Sequence, residues 1–445
     1  MKRVFFIGIG GISMSSLAKT MYLYGYTVAG SDIKESAITQ KLSLMGIKVF
    51  IGHNEKNILS YDTIVYNSAI NHENIELKRA IEKGLNIKSR IQLLNDIANE
   101  YNNVVAVSGS HGKTTTTALL THIFNCAGRN VGAHIGGEDK KFGNCVIALK
   151  KDIFITEACE YKHNFLQLKH NQGIVLNIDN DHPDCFDNYQ DILNDFLRFL
   201  KDTKSVNFIP YELVDKVENN QIKRVVFGFN DKCDYYVENL KHVANKYLFD
   251  IYEKGLYLCH IEIKAVADYF VKNLLVAVAV ARYNGIKVED ILKGIKQFEG
   301  VSRRNEYMFT YNGCDFFCDY AHHPRQIEET INAYFYKTKS DIHIIFQPHT
   351  YSRTKRFMQE FVDCFKNRSN VIIYKTYPAR EKYDGKGSAQ LLAKNVGKCL
   401  YYKNEEQLLE YVKSKCKRGD LCLFLGAGDI YDIVKKIEKA LKKGG

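Results

Sequence analysis

No Cys-x-x-Cys pair occurs in this sequence, although it contains 12 cysteines. The closest two, Cys314 and Cys318, have no second pair that would complete a zinc site. Long apolar runs are also missing: the longest, at residues 274–281, is far shorter than the roughly 20 residues that a membrane-spanning helix needs. Low-complexity linkers and short internal repeats are absent as well. We therefore predict a globular protein with free thiols and no membrane span.

The remaining composition is that of an ordinary globular chain, with 45% hydrophobic and 25% charged residues. This balance excludes a disordered or fibrous protein. A length of 445 residues exceeds what one hydrophobic core usually supports and predicts two to four domains. The net charge of +11 comes from lysine spread along the chain. Because no clustered basic patch stands out, we predict no nucleic-acid partner.

Short runs of β-branched and aromatic residues alternate with helical segments along most of the chain. This rhythm indicates right-handed βαβ units and largely parallel sheets. It begins at residue 4, begins again at residue 104 and resumes at residue 315, after an irregular series of short strands. We predict an α/β protein with three domains at residues 1–102, 103–302 and 303–445. The outer two would be Rossmann-like, and the central one would resemble a P-loop ATPase.

The strongest motif is Val-Ser-Gly-Ser-His-Gly-Lys-Thr-Thr at residues 107–115, between a predicted strand and a predicted helix. Glycines let backbone N–H groups face phosphate oxygens, Lys113 can reach the β and γ oxygens, and the Thr114 hydroxyl can bind Mg²⁺. Val107 stands where the common P-loop has its first glycine, so the alternative is a chance glycine-rich turn. The predicted ATP-binding residues here are Gly109, Ser110, His111, Gly112, Lys113, Thr114 and Thr115.

The shorter pattern Gly-x-x-Gly-Lys-Thr resembles the ATP loop of the Mur ligase family. The resemblance continues in order along nearly the whole chain, at residues 8–15, 156–161, 177–183, 319–324, 346–354 and 426–430. It implies that ATP converts a carboxylate into an acyl phosphate, which an amine then attacks. The segments at 8–15, 319–324 and 346–354 are most similar to the branch that joins L-alanine to UDP-N-acetylmuramate. The implied cofactors are ATP and Mg²⁺, and the implied location is the cytoplasm.

The resemblance also implies site residues in each domain. The UDP-sugar would be bound in the first domain by Gly8, Gly10, Gly11, Ser13, Asp32, His53, Ser68 and Arg90. The metal ligands would be Thr114, Glu157 and His182, and the catalytic group would be Lys113, Glu157, His182 and His322. Further ATP contacts would come from Asn273, Arg304 and Asp319. The incoming amino acid would be faced by Tyr320, His322, His349 and Arg353.

Two details of the implied site stay open. The proton released by the attacking amine could pass to His182, His322 or His323. Adenine recognition is unusual because Tyr269-Phe270 replaces the polar pair of the family, so that stacking on an aromatic ring is an alternative to hydrogen bonding.

Three other functions compete with this interpretation. A nicotinamide-dependent oxidoreductase would explain the glycine-rich turn at residues 8–15 and Asp32, but it leaves Lys113 and Thr114 unexplained. A non-catalytic nucleotide-binding relative is a second alternative. Within the family, a ligase that attaches a recycled peptide to the same UDP-sugar is the third.

Overall fold

The structure is a computed structural model that describes residues 2–148, 150–179, 185–186, 188–217, 222–243, 246–263, 268–335, 340–379 and 381–443. The chain divides into two compact units. The first comprises residues 1–240, 249–261 and 272–301, and the second comprises residues 241–248, 262–271 and 302–445. No helix in the described ranges combines the length and the apolar character needed to cross a membrane.

The N-terminal sheet has five parallel strands in the order β3-β2-β1-β4-β5. Its strands are β1 (Arg3–Ile7), β2 (Thr27–Asp32), β3 (Lys48–Ile51), β4 (Thr63–Tyr66) and β5 (Asn86–Ser89). Its helices are α1 (Ile12–Leu23), α2 (Ala37–Leu44), α3 (Ile75–Glu82) and α4 (Arg90–Ala98). The strand order reverses between β1 and β4. In open α/β sheets, ligands bind in the crevice at such a reversal.

The central sheet has ten strands in the order β15-β14-β13-β12-β11-β10-β6-β9-β7-β8. The strands are β6 (Asn103–Ser108), β7 (Val131–Asp139), β8 (Gly143–Val146), β9 (Ile153–Glu157), β10 (Gln172–Val175), β11 (Val206–Pro210), β12 (Lys223–Gly228), β13 (Tyr235–Val243), β14 (Lys246–Glu253) and β15 (Leu256–Ile263). The helices are α5 (Lys113–Cys126), α6 (Tyr189–Lys201), α7 (Asp268–Tyr283) and α8 (Val288–Gln297). Because β6 pairs in parallel with both β9 and β10, their carboxyl ends lie at one edge.

The C-terminal sheet has six strands in the order β16-β17-β21-β18-β19-β20. The strands are β16 (Glu306–Tyr311), β17 (Cys314–Asp319), β18 (Ile342–Phe346), β19 (Val371–Tyr374), β20 (Leu400–Tyr402) and β21 (Leu421–Leu425). The helices are α9 (Pro324–Phe335), α10 (Tyr351–Arg356), α11 (Met358–Phe365), α12 (Ala389–Val396), α13 (Glu405–Lys415) and α14 (Ile430–Lys443). Among the described pairings of this sheet, β16–β17 is antiparallel and the other four are parallel.

Local sequence accounts for many of these elements. β18 and β19 are buried along their whole length, and such continuous apolar strands are typical of the interior of parallel sheets. Several helices begin at a side-chain cap: Ser89 and Gln92 form a reciprocal capping box at the start of α4. One apolar cluster joins the first two sheets, reaching from Phe6 in β1 to Phe154 in β9. The N-terminal and central sheets of the first unit therefore share a core.

The prediction of an α/β fold with three mostly parallel sheets is confirmed. The strands with which the α/β rhythm was predicted to begin at residues 4, 104 and 315 are β1, β6 and β17. The antiparallel β7–β8 hairpin was not predicted. Its first strand contains Gly132, Gly136 and Gly137, and glycine weakens the strand signal. The domain boundaries at 102/103 and 302/303 stay predictions.

The close packing of α8 on α5 predicts the effect of one substitution. A Cβ atom at Gly294 would lie 2.5 Å from the Ile123 Cα, which is backbone and cannot rotate away. Gly294→Ala should therefore lower the free energy of unfolding by about 1–3 kcal/mol, although alanine normally favours a helix over glycine by about 1 kcal/mol. Thermal denaturation should show a lower midpoint. Lys296→Ala, at an exposed position of α8, is the control. An unchanged midpoint for Gly294→Ala would contradict this packing.

Candidate active site

The loop of residues 109–112, which the sequence predicts to bind phosphate and which is called the phosphate-binding loop below, connects β6 to α5. Two of its glycines have left-handed backbone conformations, with φ of +133° at Gly109 and +86° at Gly112. A Cβ atom at Gly112 would lie 2.6 Å from Asn273 Oδ1. Asn273 therefore packs directly against the loop. Helix α5 begins at Lys113, and its first turn includes the buried Thr115. The loop thus directs the N-terminus of a 14-residue helix towards the space where an anion would bind.

Lys113 forms an ion pair with Glu160. Its Nζ donates to both Glu160 carboxylate oxygens, at 3.0 and 2.9 Å, and to the carbonyl oxygens of Gly109 at 2.5 Å and Ser110 at 3.2 Å. Burial acts to lower the pKa of Lys113, but the nearby Glu160 more than offsets this effect and the pKa is raised. Lys113 is therefore a protonated cation that is held in place beside the loop. Sequence reasoning did not identify Glu160, although it lies in the segment at residues 156–161.

The segment that follows β10 is tied to the phosphate-binding loop. The backbone N–H of His111 donates to Asn177 Oδ1 at 2.8 Å, and Asn177 Nδ2 donates back to the His111 carbonyl at 3.1 Å. The backbone N–H of Asp179 donates to Ser110 Oγ at 2.8 Å. His111 Nε2 lies 2.9 Å from Asp179 Oδ2. These contacts hold the phosphate-binding loop against the segment that follows β10. The predicted ligand His182 follows this segment and lies outside the described residues.

Glu157 and Thr114 lie beside adjacent glycines of β7. Glu157 ends β9, and its Oε1 accepts a hydrogen bond of 2.6 Å from the Gly136 N–H. A side chain at Gly136 would overlap the Glu157 carboxylate, and a Cβ atom at Gly137 would lie 2.9 Å from Thr114 Cγ2. A hydroxyl and a carboxylate are oxygen donors that suit Mg²⁺, which commonly keeps water and phosphate oxygens as its other ligands. Within the described ranges, no three His, Cys, Asp or Glu side chains form a metal-binding group.

The glycine-rich turn after β1 is held by Asp32. The backbone N–H of Gly10 donates to Asp32 Oδ2 at 2.8 Å, and the N–H of Ile33 donates to Asp32 Oδ1 at 2.8 Å. Gly8 has φ of +80°, and Gly11 is the N-terminal cap residue of α1. The hydrogen bond from Gly10 to the Asp32 carboxylate therefore holds the turn in its conformation.

His53 and Ser68 lie in loops that follow β3 and β4. His53 Nδ1 lies 2.7 Å from Glu76 Oε2 and 3.0 Å from Ser31 Oγ, and the Glu76 side chain is completely buried. Glu76 thus orients His53, a partnership that sequence reasoning missed. The Ser68 carbonyl accepts a hydrogen bond of 2.9 Å from Lys162 Nζ. Lys162 belongs to the central sheet's part of the chain, so this bond joins the two parts of the first unit.

Ser13 and Arg90, both predicted to bind the UDP-sugar, lie together. Arg90 Nη1 donates to Ser13 Oγ at 3.1 Å. Burial lowers the pKa of Arg90, an effect that the Cys159 thiol and the Glu157 carboxylate oppose. The third member of this group is His134 of β7, whose Nε2 is 2.9 Å from Ser13 Oγ. Nothing in the sequence pattern pointed to His134.

In the second unit, the predicted nucleotide contacts lie at the carboxyl end of β17. Asp319 accepts hydrogen bonds of 2.7 Å from the N–H groups of Asn305 and Ala321, and burial raises its pKa. Asn305 Nδ2 also donates to the Tyr269 hydroxyl, so Tyr269 lies beside Asp319. The Arg304 guanidinium is 4.5 Å from the centre of the Tyr320 ring. The structure therefore brings Arg304, Asp319 and Tyr320 together.

The predicted amino-acid contacts follow β17 and β18. The ring centres of Tyr320 and His322 are 5.2 Å apart, and those of His322 and His349 are 5.9 Å apart. Arg353 lies in the first turn of α10 and is 7% exposed. The neighbouring buried Gln347 donates to Asp429 Oδ1 at 2.6 Å and joins this region to the loop after β21. Because β17, β21 and β18 are adjacent parallel strands, these loops meet at one edge of the sheet.

Models of known protein families match three consecutive parts of the chain. The Mur ligase family catalytic domain matches residues 3–102, the Mur ligase middle domain matches residues 107–281, and the Mur ligase glutamate ligase domain matches residues 303–428. The chain belongs to the Mur ligase family. The resemblance inferred from the motifs is thereby confirmed.

Similar members of this family cover nearly the whole chain. The UDP-N-acetylmuramate–L-alanine ligases of Clostridium beijerinckii and Caldanaerobacter subterraneus are each 36% identical, over 99% of this chain and 98% of their own. Among solved structures, the UDP-N-acetylmuramate-alanine ligase of Thermotoga maritima has a TM-score of 0.86 at 23% identity, covering 100% of both chains. A murein peptide ligase from Psychrobacter arcticus has a TM-score of 0.75 at 20% identity, covering 99% of both. These structures share the fold of the family.

The Lys113–Glu160 pair predicts a non-additive effect on stability. Glu160→Gln leaves the buried Lys113 charge without its partner, which should cost about 3 kcal/mol of unfolding free energy. Adding Lys113→Met should recover part of that loss, because no charge is then left unpaired. Chemical denaturation of the single and double variants measures both effects. Asp96→Asn, which breaks the exposed pair with Lys88, is the control and should cost at most about 1 kcal/mol. Additive losses for Glu160→Gln and Lys113→Met would reject the pairing.

Proposed function

We propose that the protein ligates L-alanine to the lactyl carboxylate of UDP-N-acetylmuramate at the expense of ATP, a reaction of peptidoglycan precursor synthesis. The observation that carries this proposal is the Lys113 loop, which places a protonated amine and a helix N-terminus beside Glu157. The relatives that are 36% identical over nearly their full length are L-alanine ligases. We place the reaction in the cytoplasm, where ATP and nucleotide-linked sugars are made.

The first step transfers the γ-phosphoryl group of ATP to the lactyl carboxylate and leaves ADP. Two anions must approach each other, so the step depends on cations that offset their repulsion. Lys113 supplies one positive charge beside the phosphates. Thr114 and Glu157 would hold Mg²⁺, which supplies further charge when bound, and His182 would complete its protein ligands.

The second step is attack by the amine of L-alanine on the acyl phosphate, which forms the amide bond and releases phosphate. Arg353 would bind the carboxylate of L-alanine, since a guanidinium pairs with a carboxylate through two parallel hydrogen bonds. Tyr320, His322 and His349 would surround the amine, and a histidine would accept its proton. Arg304, Asp319 and Asn273 would contact ATP.

A coupled assay of ADP release tests the proposal. With ATP, Mg²⁺ and UDP-N-acetylmuramate, we expect turnover with L-alanine and little with other amino acids. The tripeptide L-alanyl-γ-D-glutamyl-meso-diaminopimelate tests the recycling alternative. Lys113→Ala should lower the rate by at least about a hundredfold, because it removes a charge that stabilises the transition state. Turnover with the tripeptide alone, or a folded Lys113→Ala variant of normal activity, would contradict the proposal.

Arg353→Lys separates the two substrates. It keeps the positive charge but loses the planar fork. We expect a raised KM for L-alanine, while the KM values for ATP and the UDP-sugar change little. Rapid-quench measurement should still detect the acyl phosphate, because that step precedes amine attack. An equal rise in all three KM values would show that Arg353 instead supports the structure of its domain.

A further inference from the structure

A chain of hydrogen bonds links α1 to β7 inside the first unit. Arg90 Nη1 donates to Ser13 Oγ at 3.1 Å, and Ser13 Oγ is 2.9 Å from His134 Nε2. On the other side of the ring, His134 Nδ1 is 2.8 Å from Ser16 Oγ, which donates to the Asn144 carbonyl at 2.8 Å. His134 is 4% exposed. Ser13, His134 and Ser16 therefore each have a partner on both sides.

The direction of each hydrogen bond follows from the ends of this chain. A carbonyl oxygen only accepts, so Ser16 uses its single proton on Asn144 and must accept from His134 Nδ1. Burial, together with Arg90, lowers the pKa of His134 to about 3, so the ring is neutral and carries one proton. That proton is on Nδ1, which leaves Nε2 as an acceptor. Ser13 must then donate to Nε2, and its oxygen accepts from Arg90.

The Ser13 hydroxyl proton is therefore turned away from Arg90. A guanidinium has five N–H donors in a rigid fork and no acceptor. One donor of Arg90 is fixed by Ser13, and no hydrogen bond from the described residues occupies the others, which can therefore bind a ligand. Arg90 is close enough to the Glu157 carboxylate for that charge to raise its pKa, and Glu157 belongs to the phosphoryl-transfer site of the proposed function. Strand β7 contacts both Ser13 and Glu157, because its His134 bonds to the Ser13 hydroxyl and its Gly136 N–H donates to the Glu157 carboxylate.

We propose that His134 is a positioning residue for UDP-sugar binding, which acts by accepting the Ser13 hydroxyl proton, so that the Ser13 oxygen accepts from Arg90 and orients Arg90 towards an oxyanion of the substrate. The inference rests on the proposed function. The oxyanion belongs either to the diphosphate or to the lactyl carboxylate, and both would pair with the fork in the same way. Without His134, the Ser13 hydroxyl would rotate and Arg90 would lose its fixed orientation.

Calorimetric titration of the full-length protein tests this role with UDP and with UDP-N-acetylmuramate, in the absence of ATP and L-alanine. His134→Phe keeps a ring but removes both hydrogen bonds, and it should weaken binding of UDP-N-acetylmuramate about tenfold, or 1.4 kcal/mol. His134→Gln restores an acceptor near the Nε2 position and should recover most of that affinity. His170→Phe is the matched control, because His170 is an equally buried histidine with two hydrogen bonds elsewhere in the first unit.

The two ligands separate the two oxyanions. Equal weakening of UDP binding assigns Arg90 to the diphosphate, and weakening confined to UDP-N-acetylmuramate assigns it to the carboxylate. Unchanged affinity of His134→Phe for both ligands, or the same loss in His170→Phe, would overturn the inference. Wild-type protein that does not bind UDP-N-acetylmuramate would instead overturn the proposed function.

Nuclear magnetic resonance of wild-type protein labelled with ¹⁵N-histidine gives a readout that is independent of binding. At neutral pH, the signal that disappears in His134→Phe should show the proton on Nδ1. A proton on Nε2 would reverse the direction of the Ser13 bond and would overturn the inference.

Discussion

The parallel pairing of β6 with β9 and β10 is the constraint on which the first unit depends. Val107 pairs with Glu157, and Ser108 pairs with Val175, so the three strands end at almost the same level. The phosphate-binding loop, the segment with Glu157 and Glu160, and the segment after β10 consequently leave the sheet at one edge. An antiparallel neighbour would have sent one of these segments to the opposite edge. The site thus follows from strand direction.

Charges that are removed from water dominate the chemistry of that edge. Removing the Lys113 charge from water is unfavourable, and the ion pair with Glu160 offsets this cost. The pair as a whole therefore adds little to the free energy of unfolding. In the proposed reaction the gain would be functional, since a cation already in place needs no reorganisation when negative charge accumulates on the transferring phosphoryl group. Arg90 and Asp319 illustrate the same principle, because each buried charge is held by specific hydrogen bonds at a strand or helix end.

Sequence reasoning was accurate where the determinants are local. The turn between β6 and α5 and the alternation of strands and helices are encoded by contiguous glycines or apolar residues, and the order of motifs indicated the family. It failed where partners are distant in the chain. Glu160 is 47 residues from Lys113, and His134 is 121 residues from Ser13. Such pairs form only after the β-strands have aligned, so no local sequence pattern predicts them.

The central claim is that the carboxylate is activated as an acyl phosphate before the amide bond forms. Transfer of ¹⁸O from UDP-N-acetylmuramate that is labelled at both oxygens of its lactyl carboxylate tests it most directly. During turnover with ATP and L-alanine, one labelled oxygen should appear in each molecule of inorganic phosphate, detected by mass spectrometry. Formation of the alanyl product together with unlabelled phosphate would contradict the account.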